Sequence, residues 1–154
     1  MKHPKKIMLT LWHVFAIATL TMSVITVLTI AYWTLPSQTP FRFYGDKSPV
    51  FNKTVQAGSQ VNYLADFEVE KSGQQVRVAR TIEGKTIVPI PATEFITEKG
   101  RRTVQRFVDI PEYLPSGQYF IRATNYIRVN PMKTVIVIRD TETFSVVNNR
   151  QDKE

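Results

Sequence analysis

The 154-residue sequence contains no cysteine. A disulfide framework, a thiolate metal site and a cysteine nucleophile are therefore excluded. Histidine is nearly as scarce. His3 and His13 are the only two, so neither a Ser-His-Asp hydrolase site nor a histidine zinc site can be assembled from later residues. All 13 acidic residues lie beyond Pro36. The run from Ile7 to Leu35 lacks Asp, Glu, Lys and Arg, and also Gly and Pro. Both tryptophans, Trp12 and Trp33, fall inside that run. No P-loop, dinucleotide fingerprint or glycine-rich phosphate cradle occurs.

What is present begins with that apolar run. As a helix it would reach roughly 43 Å at 1.5 Å per residue, and a bilayer core needs only ~20 residues. Trp12 near one end, with Tyr32 and Trp33 at the other, fits two interfacial aromatic belts. A cleaved signal peptide has a shorter core and small residues before the cut. Here Tyr32, Trp33, Thr34 and Leu35 precede Pro36, a poor cleavage site. The expectation is an uncleaved signal anchor over 7–35, behind a basic cytoplasmic tail over 1–6 that carries Lys2, Lys5 and Lys6. The positive-inside bias then puts the C-terminal part outside the cytoplasm, periplasmic or extracellular. Ala16, Thr19, Ser23 and Thr26 share one helix face. Small residues and hydroxyls there suit contact with a second membrane helix, including another copy of this chain. The rival account is that the hydroxyls bond carbonyls one turn back in their own helix.

Residues 36–40 read as a linker. From Phe41 the period changes to two. In "QVNYLADFEVE", Val61, Tyr63, Ala65, Phe67 and Val69 point one way and the polar residues, with Leu64, point the other. "VRVARTI" and "KTIVPI" flank Glu83-Gly84, read as a tight hairpin turn using a positive-φ glycine. Pro89 and Pro91 restrict the second of these to an edge or end its pairing. "RTVQRFVDI", "QYFIRATNYIRV" and "KTVIVIRDTETFSV" follow, the last two joined by an Asn-Pro turn. With one or two strands from "FRFY" and "VFNKTV", this predicts an all-β antiparallel sandwich of seven to eight strands over 41–147, and a frayed polar tail over 148–154.

"IPEYLPSGQYFIRAT" resembles the entry to strand F of immunoglobulin-like domains. In those a Tyr, here Tyr119, sits two residues before a core position, here Ile121, and its hydroxyl bonds back to nearby backbone. "AGSQVNY" resembles the start of strand B of the same fold. The resemblance covers roughly 51–146 and implies architecture alone. The plan of one anchor plus a cysteine-free sandwich is similar to small membrane proteins of bacteria and phages.

Two groups of charges stand out. Asp66, Glu68 and Glu70 share one strand face, about 7 Å apart by strand geometry. A carboxylate pair can serve glycoside hydrolysis or Ca²⁺ binding. Cross-strand ion pairs with Arg77 and Arg80 are the simpler expectation. Lys99, Arg101, Arg102 and Arg106 cluster around Gly100, and are the candidate partner-binding residues for an acidic protein, lipid headgroups or a polyanionic glycan. Their plainer role is a solvated strand start that blunts a sheet edge. Beyond Pro36 the net charge is 17 − 13 = +4, too mild for dedicated nucleic-acid binding. The expected function is a membrane-tethered, non-enzymatic interaction or assembly module with an unidentified protein partner. It needs no cofactor, metal or catalytic residue. One rival is a structural subunit of an envelope or phage-related complex. The other is an envelope-glycan-binding or glycan-acting domain using Asp66 and Glu68.

Overall fold

The computed structural model describes residues 4–34 and 40–149. They form two compact units, an N-terminal helix and a β-rich domain. Of the expected linker over 36–40, residues 36–39 lie outside the described residues, as do the end of the span at residue 35 and the tail over 150–154, whereas Pro40 is buried in the β-rich domain and its carbonyl accepts the Glu70 N–H at 2.9 Å.

Helix α1 spans Pro4–Thr34. Proline suits the first turn, where its missing N–H would lack an intrahelical partner anyway. Lys5 and Lys6, expected in a separate tail, belong to this helix. Within it Thr10–Thr34 is long and apolar enough to span a membrane, and none of its residues is buried by the protein. The side chain of Thr19 donates to the Phe15 carbonyl at 2.9 Å, Ser23 to Thr19 at 2.9 Å and Thr26 to Met22 at 2.8 Å. Each hydroxyl proton is thus already used inside α1, although the oxygens can still accept.

Nine strands follow among the described residues: β1 (Phe41–Phe43), β2 (Thr54–Gln56), β3 (Gln60–Val69), β4 (Gln75–Glu83), β5 (Val88–Ile96), β6 (Gly100–Asp109), β7 (Gly117–Asn130), β8 (Lys133–Asp140) and β9 (Phe144–Val147). The count exceeds seven to eight because "KTVIVIRDTETFSV" is divided at Thr141. The register along β7 slips there by one residue, from Arg122 opposite Asp140 to Tyr119 opposite Phe144. Thr141 bridges the irregularity, since its Oγ1 accepts the Ile121 N–H at 2.9 Å. The strands form a three-stranded sheet in the order β1-β3-β6 and a six-stranded sheet β2-β9-β7-β4-β5, with β8 also on β7. β2 runs parallel to β9, and every other pairing of named strands is antiparallel.

The two sheets pack face to face. Val61, Tyr63 and Val108 of the small sheet meet Ile82, Tyr119, Ile121, Phe144 and Val146 of the large one. A second cluster joins Phe41, Phe67 and Val69 to Val76, Val78 and Ile127. Burial of Val61, Tyr63, Phe67 and Val69 agrees with the period-two pattern of β3. Tyr119 is fully buried, and its hydroxyl donates to the Pro115 carbonyl at 3.0 Å.

Two local expectations are corrected. Gly84 does not have a positive φ; among the described residues Gly45, Gly58, Gly73 and Gly100 do. Its value is close approach instead, since a Cβ there would lie 2.4 Å from the Gln118 carbonyl oxygen and 2.5 Å from the Tyr119 ring. The turn is accordingly not a two-residue hairpin but the four residues 84–87. Asn148, expected in a frayed tail, is buried. Its Nδ2 donates to the carbonyls of Glu112 and Leu114, both at 2.9 Å, and this ties the chain end to the β6–β7 connection. β5 does end the large sheet, as its prolines require. It nevertheless stays paired past both of them, because Pro91 falls where the β4–β5 register shifts.

Candidate functional site

The outer face of the small sheet carries a polar network. Asp66 and Glu68 of β3 lie beside Arg101 and Thr103 of β6, because β3 pairs antiparallel with β6. Arg101 Nη2 donates to Asp66 Oδ2 at 2.7 Å, and Nε to Oδ1 at 3.2 Å, a bidentate pair. The same guanidinium stacks over the Tyr44 ring, 4.1 Å from its centroid. The Tyr44 hydroxyl donates to Glu68 at 2.5 Å.

The expected pairing of Asp66, Glu68 and Glu70 with Arg77 and Arg80 is thereby overturned. β3 and β4 are consecutive in sequence but belong to different sheets, joined by a loop over 70–74. Arg77 faces Glu94 of β5 at 3.9 Å. Arg80 reaches between the sheets, donating to the Tyr63 hydroxyl at 3.2 Å and to Thr93 Oγ1 at 3.1 Å.

Hydrogen bonding from Arg101 holds the Asp66 carboxyl below the usual carboxylate range. A folded-state pKa below the unfolded one adds stability above the unfolded value, and this is lost as pH falls through the folded value. An NMR titration should therefore find Asp66 protonating at lower pH than in Arg101→Gln. The stability gap between the two proteins should close as pH falls through the Asp66 midpoint. An unchanged midpoint in Arg101→Gln would show that the ion pair has no influence there. A carboxyl kept ionised in this way is ill suited to donate a proton as a general acid.

The four cluster residues do not form one patch. Successive strand residues point to opposite faces. Arg101 takes the outer face, whereas Arg102 and Arg106 align with Phe67 and Tyr63 on the face turned toward the large sheet. Arg102 bonds Glu98. Arg106 lines a cavity of about 40 Å³ between the sheets, with Tyr63, Phe67, Phe95, Arg80 and Arg139 among its walls. Lys99 is exposed in the β5–β6 loop.

Arg139 is partly buried, and desolvation pushes its guanidinium pKa down. It donates to the carbonyls of Tyr44, Gly45 and Asp46 at 2.7–2.8 Å, so it pins the chain after β1 against the end of β8. Arg122 bonds both Asp140, at 2.9 and 3.0 Å, and Glu83, at 2.9 Å.

Sequence reasoning missed the open edge of β8. Ser48 N–H takes the Asp140 carbonyl at 3.0 Å on the side away from β7. By strand alternation, the backbone groups of Thr134, Ile136 and Ile138 point to that same side. No strand among the described residues pairs with them there. Ile136 and Ile138 remain 57% and 59% exposed, next to Tyr126 of β7. The signal was available in "TVIVI", an apolar run without a charge or proline to blunt an edge.

No protein-family model and no curated protein sequence matches the chain. Among solved structures it is similar to an alkylpurine DNA glycosylase of Pseudomonas fluorescens bound to DNA, at 9% identity and TM-score 0.44, over 72% of this chain and 31% of that one. It is similar to the CARDB domain of a Pyrococcus furiosus protein in complex with di-metal ions, at 15% identity and TM-score 0.43, over 72% and 95%. A third is the C-terminal domain of wzt, at 13% identity and TM-score 0.48, over 73% and 76%. The chain thus spans less than a third of the glycosylase. Likeness at this level carries nothing about ligands or activity.

Proposed function

We propose that this chain is a single-pass membrane protein, with a cytoplasmic N-terminus, whose immunoglobulin-like sandwich holds a protein partner outside the cytoplasm. The carrying observation is the open β8 edge. An unpaired strand edge that is apolar, β-branched and free of proline is a template for an added strand. The occupant is an extended segment of the partner. Apolar side chains at alternate positions would meet Ile136 and Ile138, and acidic residues would flank them, opposite Arg128 and Lys133.

The immunoglobulin-like reading draws support from two features. One is the strand order β1-β3-β6 against β2-β9-β7-β4-β5, with β2 parallel to β9. The other is the bond from Tyr119 to Pro115. The membrane reading rests on Thr10–Thr34. A non-enzymatic role fits the state of the carboxylates that a glycan-acting domain would use, Asp66 and Glu68, both engaged by neighbouring side chains. Placement in an envelope or phage-related complex is the form such a partner would take if α1 also packs through Ala16, Thr19, Ser23 and Thr26.

The test is a photo-crosslinking residue at Ile136 of the full-length protein in its native membrane. A crosslink is expected to one extended, acid-flanked segment of a single partner. Ile138→Lys should abolish it while thermal stability stays unchanged, because an exposed side chain contributes little to folding. An adduct of twice the chain's own mass would make the occupant a second copy and overturn the partner reading. Crosslinks that survive Ile138→Lys would remove the edge from the interface.

A further inference from the structure

We propose that the end of the sandwich that receives the chain at Pro40 docks on anionic lipid headgroups. The inference rests on the anchor reading above but not on the β8 edge.

Strand directions define that end. Phe41 pairs with Val69, Val69 with Gly100, Gln75 with both Ile96 and Arg128, and Asn130 with Lys133. The chain entry, the loops over 70–74 and 97–99, and the β7–β8 turn therefore lie together. They gather Lys71, Lys99, Arg128 and Lys133 against Glu70 and Glu98, so 4 − 2 = +2. Glu98 is already bonded to Arg102. The opposite end has Lys85 against Glu83, Asp109 and Glu112, so 1 − 3 = −2. The sandwich is thus electrically polarised along its strands, and the chain enters at the cationic end.

Two further features favour a lipid surface over a soluble anion. Residues 35–39 join Pro40 to the end of α1, and covalent geometry limits them to roughly 20 Å whatever their conformation. Of the two ends of the sandwich, the cationic one is thus the one that follows the anchor directly in sequence. The second feature is apolar. Met132 in the β7–β8 turn and Ile96 at the end of β5 are 72% and 71% exposed. Met132 lies between Arg128 and Lys133 along the chain, and Ile96 lies three residues before Lys99. Apolar tips within a basic ring suit the headgroup layer, where the tips enter and the charges meet phosphates.

The absence of native cysteine makes the test direct. Full-length protein carrying Met132→Cys is labelled with an environment-sensitive fluorophore. It is then reconstituted into vesicles of phosphatidylcholine alone, or of phosphatidylcholine with an equal part of phosphatidylglycerol. Tyr113→Cys gives the matching label at the other end, where the native side chain is exposed. Emission from position 132 should shift to the blue only with phosphatidylglycerol, and high salt or Lys71→Glu with Lys99→Glu should remove the shift. Position 113 should respond to neither lipid. Equal emission from position 132 in both vesicle types, or a shift that survives high salt, overturns the proposal. Flotation of the vesicles reports insertion of α1 separately. If the protein does not float, the anchor reading fails and this proposal falls with it.

Discussion

Full-length protein is expected to remain in the membrane pellet after alkaline carbonate washing, and its N-terminal residue to be Met1 or Lys2. A chain beginning at Pro36 should be recovered entirely in the supernatant. The effect is close to all-or-none because the 25 residues Thr10–Thr34 carry no charged side chain and none of them is buried by the protein. Each Leu, Ile, Phe or Val near the centre of such a helix favours insertion by about 0.3–0.6 kcal/mol. The Ser and Thr hydroxyls detract little, since they already bond carbonyls within α1. At ~1.5 Å per residue the segment exceeds the ~30 Å hydrocarbon layer. Recovery of a mature protein starting near Pro36 would make the apolar helix a signal sequence and leave the sandwich untethered.

A large effect within the sandwich is expected from the addition of a single methyl group at Gly84. Gly84→Ala should lower stability by about 3 kcal/mol, at the upper end of ordinary overpacking. The added methyl would meet a backbone oxygen at 2.4 Å and a buried ring carbon at 2.5 Å. The oxygen belongs to Gln118 of β7, held there by pairing with Ser145 of β9, so it has little freedom to retreat. Tyr119→Phe should cost far less, about 1 kcal/mol, from loss of the bond to Pro115. Tyr119→Ala separates the two obstacles. It should itself cost about 3–5 kcal/mol. Combined with Gly84→Ala it should cost less than the sum, because the ring half of the clash is gone. Denaturant unfolding of the four proteins measures this cycle. Wild-type stability for Gly84→Ala would mean that the 84–87 turn moves aside freely.

Much of the architecture was legible because local rules govern it. An apolar run without charge, glycine or proline permits few structures other than a helix. Period-two burial along Val61–Val69 specifies a half-buried strand. Asn130-Pro131 marked a turn, and Asn130 Oδ1 indeed accepts the Met132 N–H at 2.9 Å. The Tyr119 hydroxyl bond spans only four residues, so a short motif sufficed to anticipate it.

Pairing was not legible, since no local signal says which strand a strand will meet. Asp66 and Arg101 are 35 residues apart and became partners only when β3 paired with β6 rather than β4. The same crossing between sheets separated Arg77 and Arg80 from the acids expected beside them. It also split one sequence cluster, because alternation along β6 sends Arg101 outward and turns Arg102 and Arg106 inward. Conversely, Lys71, Lys99 and Lys133 look unrelated along the chain and share one end of the domain. By itself, then, the sequence determined one apolar helix, a set of alternating strands and the absence of cysteine and histidine chemistry. These follow from composition and from repeats of two or 3.6 residues. Only the tertiary structure decided which charges neutralise one another, which strand edge stays open and which end is cationic. Those depend on contacts between residues far apart in sequence, made when the two sheets close over a common core.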